Sequence, residues 1–153
     1  MTLENLLAIH KLQRFEPSAA GVLRLLAAVE RNLADAKIEA LSSENRFDAA
    51  YKAIMQCAMI GLWANGYRAS TSQPGHHQMA LQILPKTLGL SQDEVIVLDA
   101  LRKRRNLSDY EGDPIGDVAV VECCAQAELL LARTRAWLLR FRPDLLESPG
   151  LRG

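Results

Sequence analysis

The sequence predicts an all-α protein, an up-and-down bundle of five to six helices in a single domain spanning residues 1–153. Three observations carry this. Hydrophobic residues make up 49% of the chain while aromatics are only 5%, and the apolar share is mostly Ala and Leu, which lose little freedom in a helix. Apolar residues recur at three- and four-residue spacing over most of the length. No segment alternates with period two between turn residues, so no strand is expected. At 153 residues the chain is long enough for a real core without disulfides or a structural metal.

Thr2 is a suitable cap for a first helix, with Glu4 near its positive end. Leu3, Leu6, Leu7 and the Ile9/His10 pair form a short apolar stripe that ends near Phe15, with His10 read as a partly buried packing residue. Glu16-Pro17-Ser18 breaks it, and Ser18 caps the second helix. That helix is expected to run to about Leu41, with Val22, Leu25, Leu26, Val29, Leu33 and Ala36 on one face. Leu41-Ser42-Ser43 supplies a break and a fresh cap. The third helix has the strongest periodicity, through Phe47, Ala50, Tyr51, Ile54, Met55, Ala58, Met59, Leu62 and Trp63, and is expected at the centre of the core. Asn65-Gly66 suits its C-terminus.

Residues 67–75 are polar and turn-rich and read as a long surface loop. His76 opens a short helix that Pro85 ends or kinks. Ser91-Gln92-Asp93-Glu94 matches a capping box. The helix it starts carries Val95-Ile96-Val97-Leu98, apolar all round and expected to be buried. Its last turns are Leu101-Arg102-Lys103-Arg104-Arg105-Asn106-Leu107-Ser108-Asp109-Tyr110, the densest positive charge in the chain. After a loop at 111–116, a final helix is expected from about Asp117 to Phe141. Val118, Val121, Ala125, Leu129, Ala132 and Ala136 share one face of it. A second apolar row, Val120, Cys124, Leu131 and Leu138, widens that surface, as in a core helix or an oligomer seam. The packed part is expected to span about 18–141, and 142–153 to be a loose tail.

Eighteen basic and eighteen acidic residues cancel, which disfavours general nucleic-acid or membrane-surface adhesion; any such binding must be local. No window of ~18 residues is free of charge, so no membrane span is expected. Residues 1–15 lack the pattern of a secretory signal, and a cytoplasmic location is expected. Cys57, Cys123 and Cys124 make a poor disulfide framework and read as buried thiols. No zinc-ligand spacing appears, and no metal or cofactor is expected.

The chemistry concentrates in the basic stretch. At 100° per residue Leu98, Leu101, Arg105 and Asp109 share one stripe, so Arg105 is in line with apolar residues. Two accounts fit: an Arg105–Asp109 ion pair worth a few tenths of a kcal/mol, about the value of an exposed helix pair, or an arginine directed into a groove or a dimer seam. Arg102, Lys103 and Arg104 cover other faces. His76-His77 is a second candidate, because an imidazole there could reach the basic helix as a proton carrier; packing or capping is the alternative.

The helix order, together with Arg105-Asn106 followed by Leu107-Ser108-Asp109-Tyr110 at the end of a late helix, resembles the HEPN superfamily over roughly residues 18–141. The family's hallmark is an Arg, often followed by a polar residue, with four to six residues between it and a His. Tyr110 stands where that His belongs. The resemblance implies a homodimer whose paired motifs form a cleft for RNA or a nucleotide phosphate, within a toxin–antitoxin or defence system. It implies metal-independent ribonuclease chemistry in which Arg105 steadies charge and Tyr110 takes the His position. Tyr ordinarily titrates near ~10 and is a poor base at neutral pH. Arg102, Arg105, Asn106 and Asp109 are the residues expected at the phosphate. A silent interaction module that binds a nucleotidyltransferase-like antitoxin is the alternative, since some members are neutralised when such a partner modifies a Tyr at the motif.

Overall fold

Helix α3 (Ser43–Ala64) is buried on nearly every side, and the other elements are laid around it. The computed structural model describes residues 2–72 and 74–148. In chain order these form α1 (Leu3–Ala8), β1 (Leu12–Arg14), α2 (Ala19–Ala36), α3, β2 (Tyr67–Ala69), α4 (His76–Gln82), α5 (Leu84–Thr87), α6 (Gln92–Glu111), α7 (Asp117–Phe141) and a final 3-10 turn (Pro143–Leu146). The protein is therefore all-α in character, with seven α-helices among the described residues where five to six are expected, and one small sheet.

Cross-helix contacts fix the directions of the four long helices. Asn32 bonds Gln56 and Arg46 bonds the Ala36 carbonyl, so α2 and α3 are antiparallel. Ser43 meets Asp117 and Arg142 meets the Ala64 carbonyl, so α7 runs parallel to α3. Arg133 pairs with Glu94, which sets α6 against α7 in the opposite sense. The order is up, down, up, down. Most predicted caps are in place: Thr2, Ser18 and Ser42 each accept from the backbone amide three residues on, and Ser91 and Glu94 form both bonds of the capping box.

Several expectations need correction. The first apolar stripe is two elements. Helix α1 stops at Ala8, His10 adopts φ 63° and is exposed, and the chain turns so that Leu12 enters the core. Leu12–Arg14 then pairs antiparallel with Tyr67–Ala69 in the register Leu12↔Ala69. The start of the predicted loop is thus a strand, and a strand of three residues is too short to show alternation. Gln73, in that loop, lies outside the described residues. Helix α2 ends at Ala36, five residues early, and residues 37–42 are the turn. Pro85 does interrupt α4, and it sits in the first turn of α5, where its missing amide costs nothing.

Packing also decides which faces of α6 and α7 turn inward. In α6, Val95 and Leu98 are buried but Ile96 is 64% exposed and Val97 is also open. In α7 the row Val118, Val121, Ala125, Leu129, Ala132 and Ala136 faces outward: Val118 is 84% exposed, Val121 66% and Leu129 60%, and the three alanines are exposed too. The buried row is Val120, Cys123, Ala127, Leu130, Thr134 and Leu138. Small side chains at Cys123 and Ala127 let α7 approach α3 closely, and Cys123 Sγ lies 3.9 Å from the Phe47 carbonyl. Thr134 is tolerated there because its hydroxyl donates to the Leu130 carbonyl at 2.7 Å. Cys57 and Cys123 are buried free thiols and Cys124 is half-buried. The packed region also extends beyond 18–141: Leu6 and Leu12 join the core at one end, and Leu145 is buried at the other. Residues 149–153 of the expected tail lie outside the described residues.

Candidate functional site

The basic end of α6 lies against the start of α4. A cleft of about 260 Å³ is lined by Gly75, His76, His77, Gln78, Arg102, Arg105, Asn106 and Tyr110. The two candidate groups, separated by about a fifth of the chain, therefore share one cavity. The connection follows from local chemistry. The Gly75 φ of 78° turns the chain out of the loop and starts α4 with His76. Met79, Ala80 and Leu81 are buried, which anchors α4 and keeps His76 and His77 half-exposed at its N-terminal end. Helix α6 stays regular to Glu111, so Asn106 and Tyr110, four residues apart, look the same way into the cleft.

Arg105 is held by three neighbours. Its Nε lies 2.8 Å from Asp109 Oδ2 and 3.4 Å from Asp48 Oδ1, and its guanidinium sits 5.4 Å above the Tyr51 ring. The expected Arg105–Asp109 pair exists, and so does the inward placement; the two accounts are not exclusive. Asp109 stands outside the cleft lining and acts on Arg105 from the side. Arg102 is fixed by Asp99 at 2.7 Å. Burial opposes ionisation of Asp99, but Arg102 and Lys103 outweigh it and hold its carboxyl below the usual range. Both arginines thus keep their cationic forks in set positions beside the cleft. Lys103 and Arg104 are exposed on other faces.

His77 packs near Tyr51, ring centroids 6.2 Å apart, and edge-on to His76 at 4.7 Å. Burial lowers the His77 pKa below the ordinary imidazole value, and His76, Arg105 and Arg102 add to it. His77 is therefore neutral near pH 7 and able to accept a proton. Tyr110 is 81% exposed at the rim.

Tyr51 and Asp48 belong to the site and were not among the sequence candidates. The spacing puts Tyr51 on the core stripe of α3, and it is buried. Its hydroxyl, however, has no hydrogen-bond partner. Burial pushes its pKa up to about 12, with Arg105 and Arg102 opposing, so it remains a neutral phenol. The available signal was a phenol in a stripe otherwise lacking polar side chains. Asp48 carried no signal, because its link to Arg105 spans 57 positions.

Among the described residues there is no group of three or more His, Cys, Asp or Glu side chains arranged to hold a metal ion. No helix among them is long and apolar enough to cross a membrane. No protein-family model, curated protein or solved structure matches the chain.

Proposed function

We propose that this chain is a HEPN-like component of a toxin–antitoxin or defence system, cytoplasmic and homodimeric, that binds RNA or a nucleotide phosphate in the cleft between α4 and α6. The observation that carries the reading is the convergence of Arg102, Arg105, Asn106, Tyr110, His76 and His77 on one cavity. A guanidinium fork matches the geometry of phosphate oxygens. Asn106 adds an amide donor. Their carboxylate partners hold both arginines in advance, so little side-chain freedom is lost on binding.

The same groups suit metal-independent RNA cleavage. Neutral His77 accepts the proton of a ribose 2′-hydroxyl as its oxygen bonds to the neighbouring phosphorus. The bond from phosphorus to the next 5′-oxygen breaks, and that oxygen takes a proton from the Tyr110 hydroxyl. The products are a 2′,3′-cyclic phosphate and a 5′-hydroxyl, and the two side chains exchange their protons with water afterwards. Arg105 steadies the charge on the phosphate oxygens. His77 thereby takes the base role for which Tyr110 is unsuited. Support for pairing comes from the outer row of α7, which exposes Val118, Val121 and Leu129 along one face.

The test is incubation of the purified protein with RNA in excess chelator. Expected are 2′,3′-cyclic ends that disappear in Arg105→Ala and His77→Gln. No cleavage, combined with RNA binding that Arg105→Ala abolishes, replaces the enzyme with a binding module. If Arg105→Ala changes neither, the phosphate reading fails. One observation favours the silent alternative: Tyr110 is open enough for a nucleotidyltransferase-like partner to modify its hydroxyl. Mass spectrometry of protein expressed with its genomic neighbours would reveal a nucleotide adduct on Tyr110.

A further inference from the structure

Behind the His76–His77 pair lies a second cavity. It measures about 300 Å³, and His76 and His77 line it as they line the arginine cleft. The two cavities therefore share a wall one imidazole pair thick. Their linings differ in kind. The arginine side offers charge. The far side is mostly apolar, formed by Met55, Met59, Leu62 and Trp63, with Arg68 and Thr71 as its polar groups.

We propose that this second cavity is a nucleobase pocket, which receives the base of a nucleotide whose phosphate rests against Arg105. The inference rests on the phosphate reading of the arginine cleft and adds what that cleft lacks, a surface for the rest of the ligand. The indole of Trp63 is already set, tilted against Phe15 at a centroid distance of 4.9 Å, while Arg68 sits 5.7 Å over the same Phe15 ring. The aromatic wall is thus rigid before anything binds. Met59 is exposed although it belongs to the most buried helix of the protein, and a thioether adapts to flat rings of different outline. Arg68 is held through its Nε by Gln13 at 3.0 Å, which leaves its terminal nitrogens as donors for a base edge. The Thr71 hydroxyl can donate or accept. An apolar slot with a few convergent polar groups is what small-ligand recognition requires. A flat ring with hydrogen-bonding edges, joined through a sugar to a phosphate, suits both cavities at once.

The β1–β2 sheet acquires a purpose from this arrangement. Pairing of Gln13 with Arg68 and of Leu12 with Ala69 holds Arg68 and Ala69 at the pocket wall.

The experiment uses the full chain carrying Trp137→Phe, which leaves Trp63 as its one indole, since the chain has two tryptophans. Its emission is followed during titration with a 2′-O-methyl dinucleotide, which cannot be cleaved, and separately with ribose 5-phosphate and inorganic phosphate. Expected is a change in Trp63 emission with the dinucleotide only. Met59→Ser should weaken the dinucleotide roughly tenfold, the scale of losing a thioether's apolar contact, without altering the affinity for inorganic phosphate. Because Met59 is exposed, that variant should keep the parent fold by circular dichroism; Thr71→Val, at a second exposed position, serves as a parallel probe. If the dinucleotide and ribose 5-phosphate bind alike and Trp63 is silent, the base pocket is overturned while the phosphate cleft stands. If neither the dinucleotide nor inorganic phosphate binds, both are overturned.

Discussion

Arg105 and Tyr51 show how a buried phenol and a surface cation come to share one small volume. The ring of Tyr51 supports the guanidinium, and its hydroxyl is left without a partner. A buried donor with no acceptor costs about 1–3 kcal/mol. Tyr51→Phe should therefore be as stable as the parent or more so, by up to about 1 kcal/mol in urea unfolding. If a bound phosphate or ribose completes that hydroxyl, the same variant should bind nucleotide more weakly. His77 gives the pH counterpart. Its pKa in the folded chain lies below the unfolded value, so between the two the unfolded chain holds a proton that the folded chain does not. Stability should then fall as pH drops from neutral through the ordinary imidazole range, near ~6.5. Thermal melts of the parent and His77→Gln from pH 8 to 5 should show a shallower decline in the variant, since it lacks that proton. An identical slope in both would refute the assignment.

At the level of elements, α3 and α7 illustrate opposite outcomes of the same helical periodicity. Nine apolar positions of α3 are legible, and all but Met59 and Trp63 are buried, because beyond its first turn only a narrow stripe through Asp48, Lys52 and Met59 faces outward. Helix α7 has two apolar rows separated by part of a turn, and spacing alone cannot say which meets α3. The row that meets α3 is Val120, Cys123, Ala127, Leu130, Thr134 and Leu138; the outer row has three alanines of its own, so residue size along the helix does not decide the choice. The contact between α3 and the end of α5 also depends on a small residue. A methyl on Gly61 would lie 2.9 Å from Leu88 Cγ and 3.1 Å from Thr87 Oγ1. Gly61→Ala gains about 0.5–1 kcal/mol of helix propensity against an overpacking cost of about 1–3 kcal/mol. A net loss of about 1 kcal/mol is expected in urea unfolding.

At the scale of the whole molecule, the outer row of α7 is an apolar face left in solvent. Leu139 extends it at one end, and next to it Val97, Leu98, Leu129 and Leu130 line a groove of about 350 Å³ between α6 and α7. Charges on α7 divide along its length: Asp117, Glu122 and Glu128 precede Arg133, Arg135 and Arg140. A second α7 lying antiparallel would set each acidic half beside a basic half, as a two-fold interface requires. Val121→Glu with Leu129→Glu should thus shift the protein from dimer to monomer in sedimentation at micromolar concentration while leaving its melting temperature within a few degrees, since both positions are already exposed in one chain. A parent that sediments as a monomer would remove the pairing.

The local signals of this chain are strong where short-range chemistry decides. The caps at Thr2, Ser18, Ser42 and Ser91, the bounds of α7 and the persistence of α6 through Tyr110 all follow from neighbours within one or two turns. Hence Arg105, Asn106 and Tyr110 could be phased before any coordinates. Tertiary packing decided the rest. Leu12 leaves α1 because pairing with Ala69 gives the backbone of both segments partners and buries its side chain. Which face of α7 turns inward depends on the shape of α3. The meeting of His76-His77 with Arg102 and Arg105, and of Arg105 with Asp48 and Tyr51, depends on how α4 and α6 dock on α3. Such contacts join residues far apart in the chain, and their energies depend on distance and enclosure, quantities that exist only once the helices have packed.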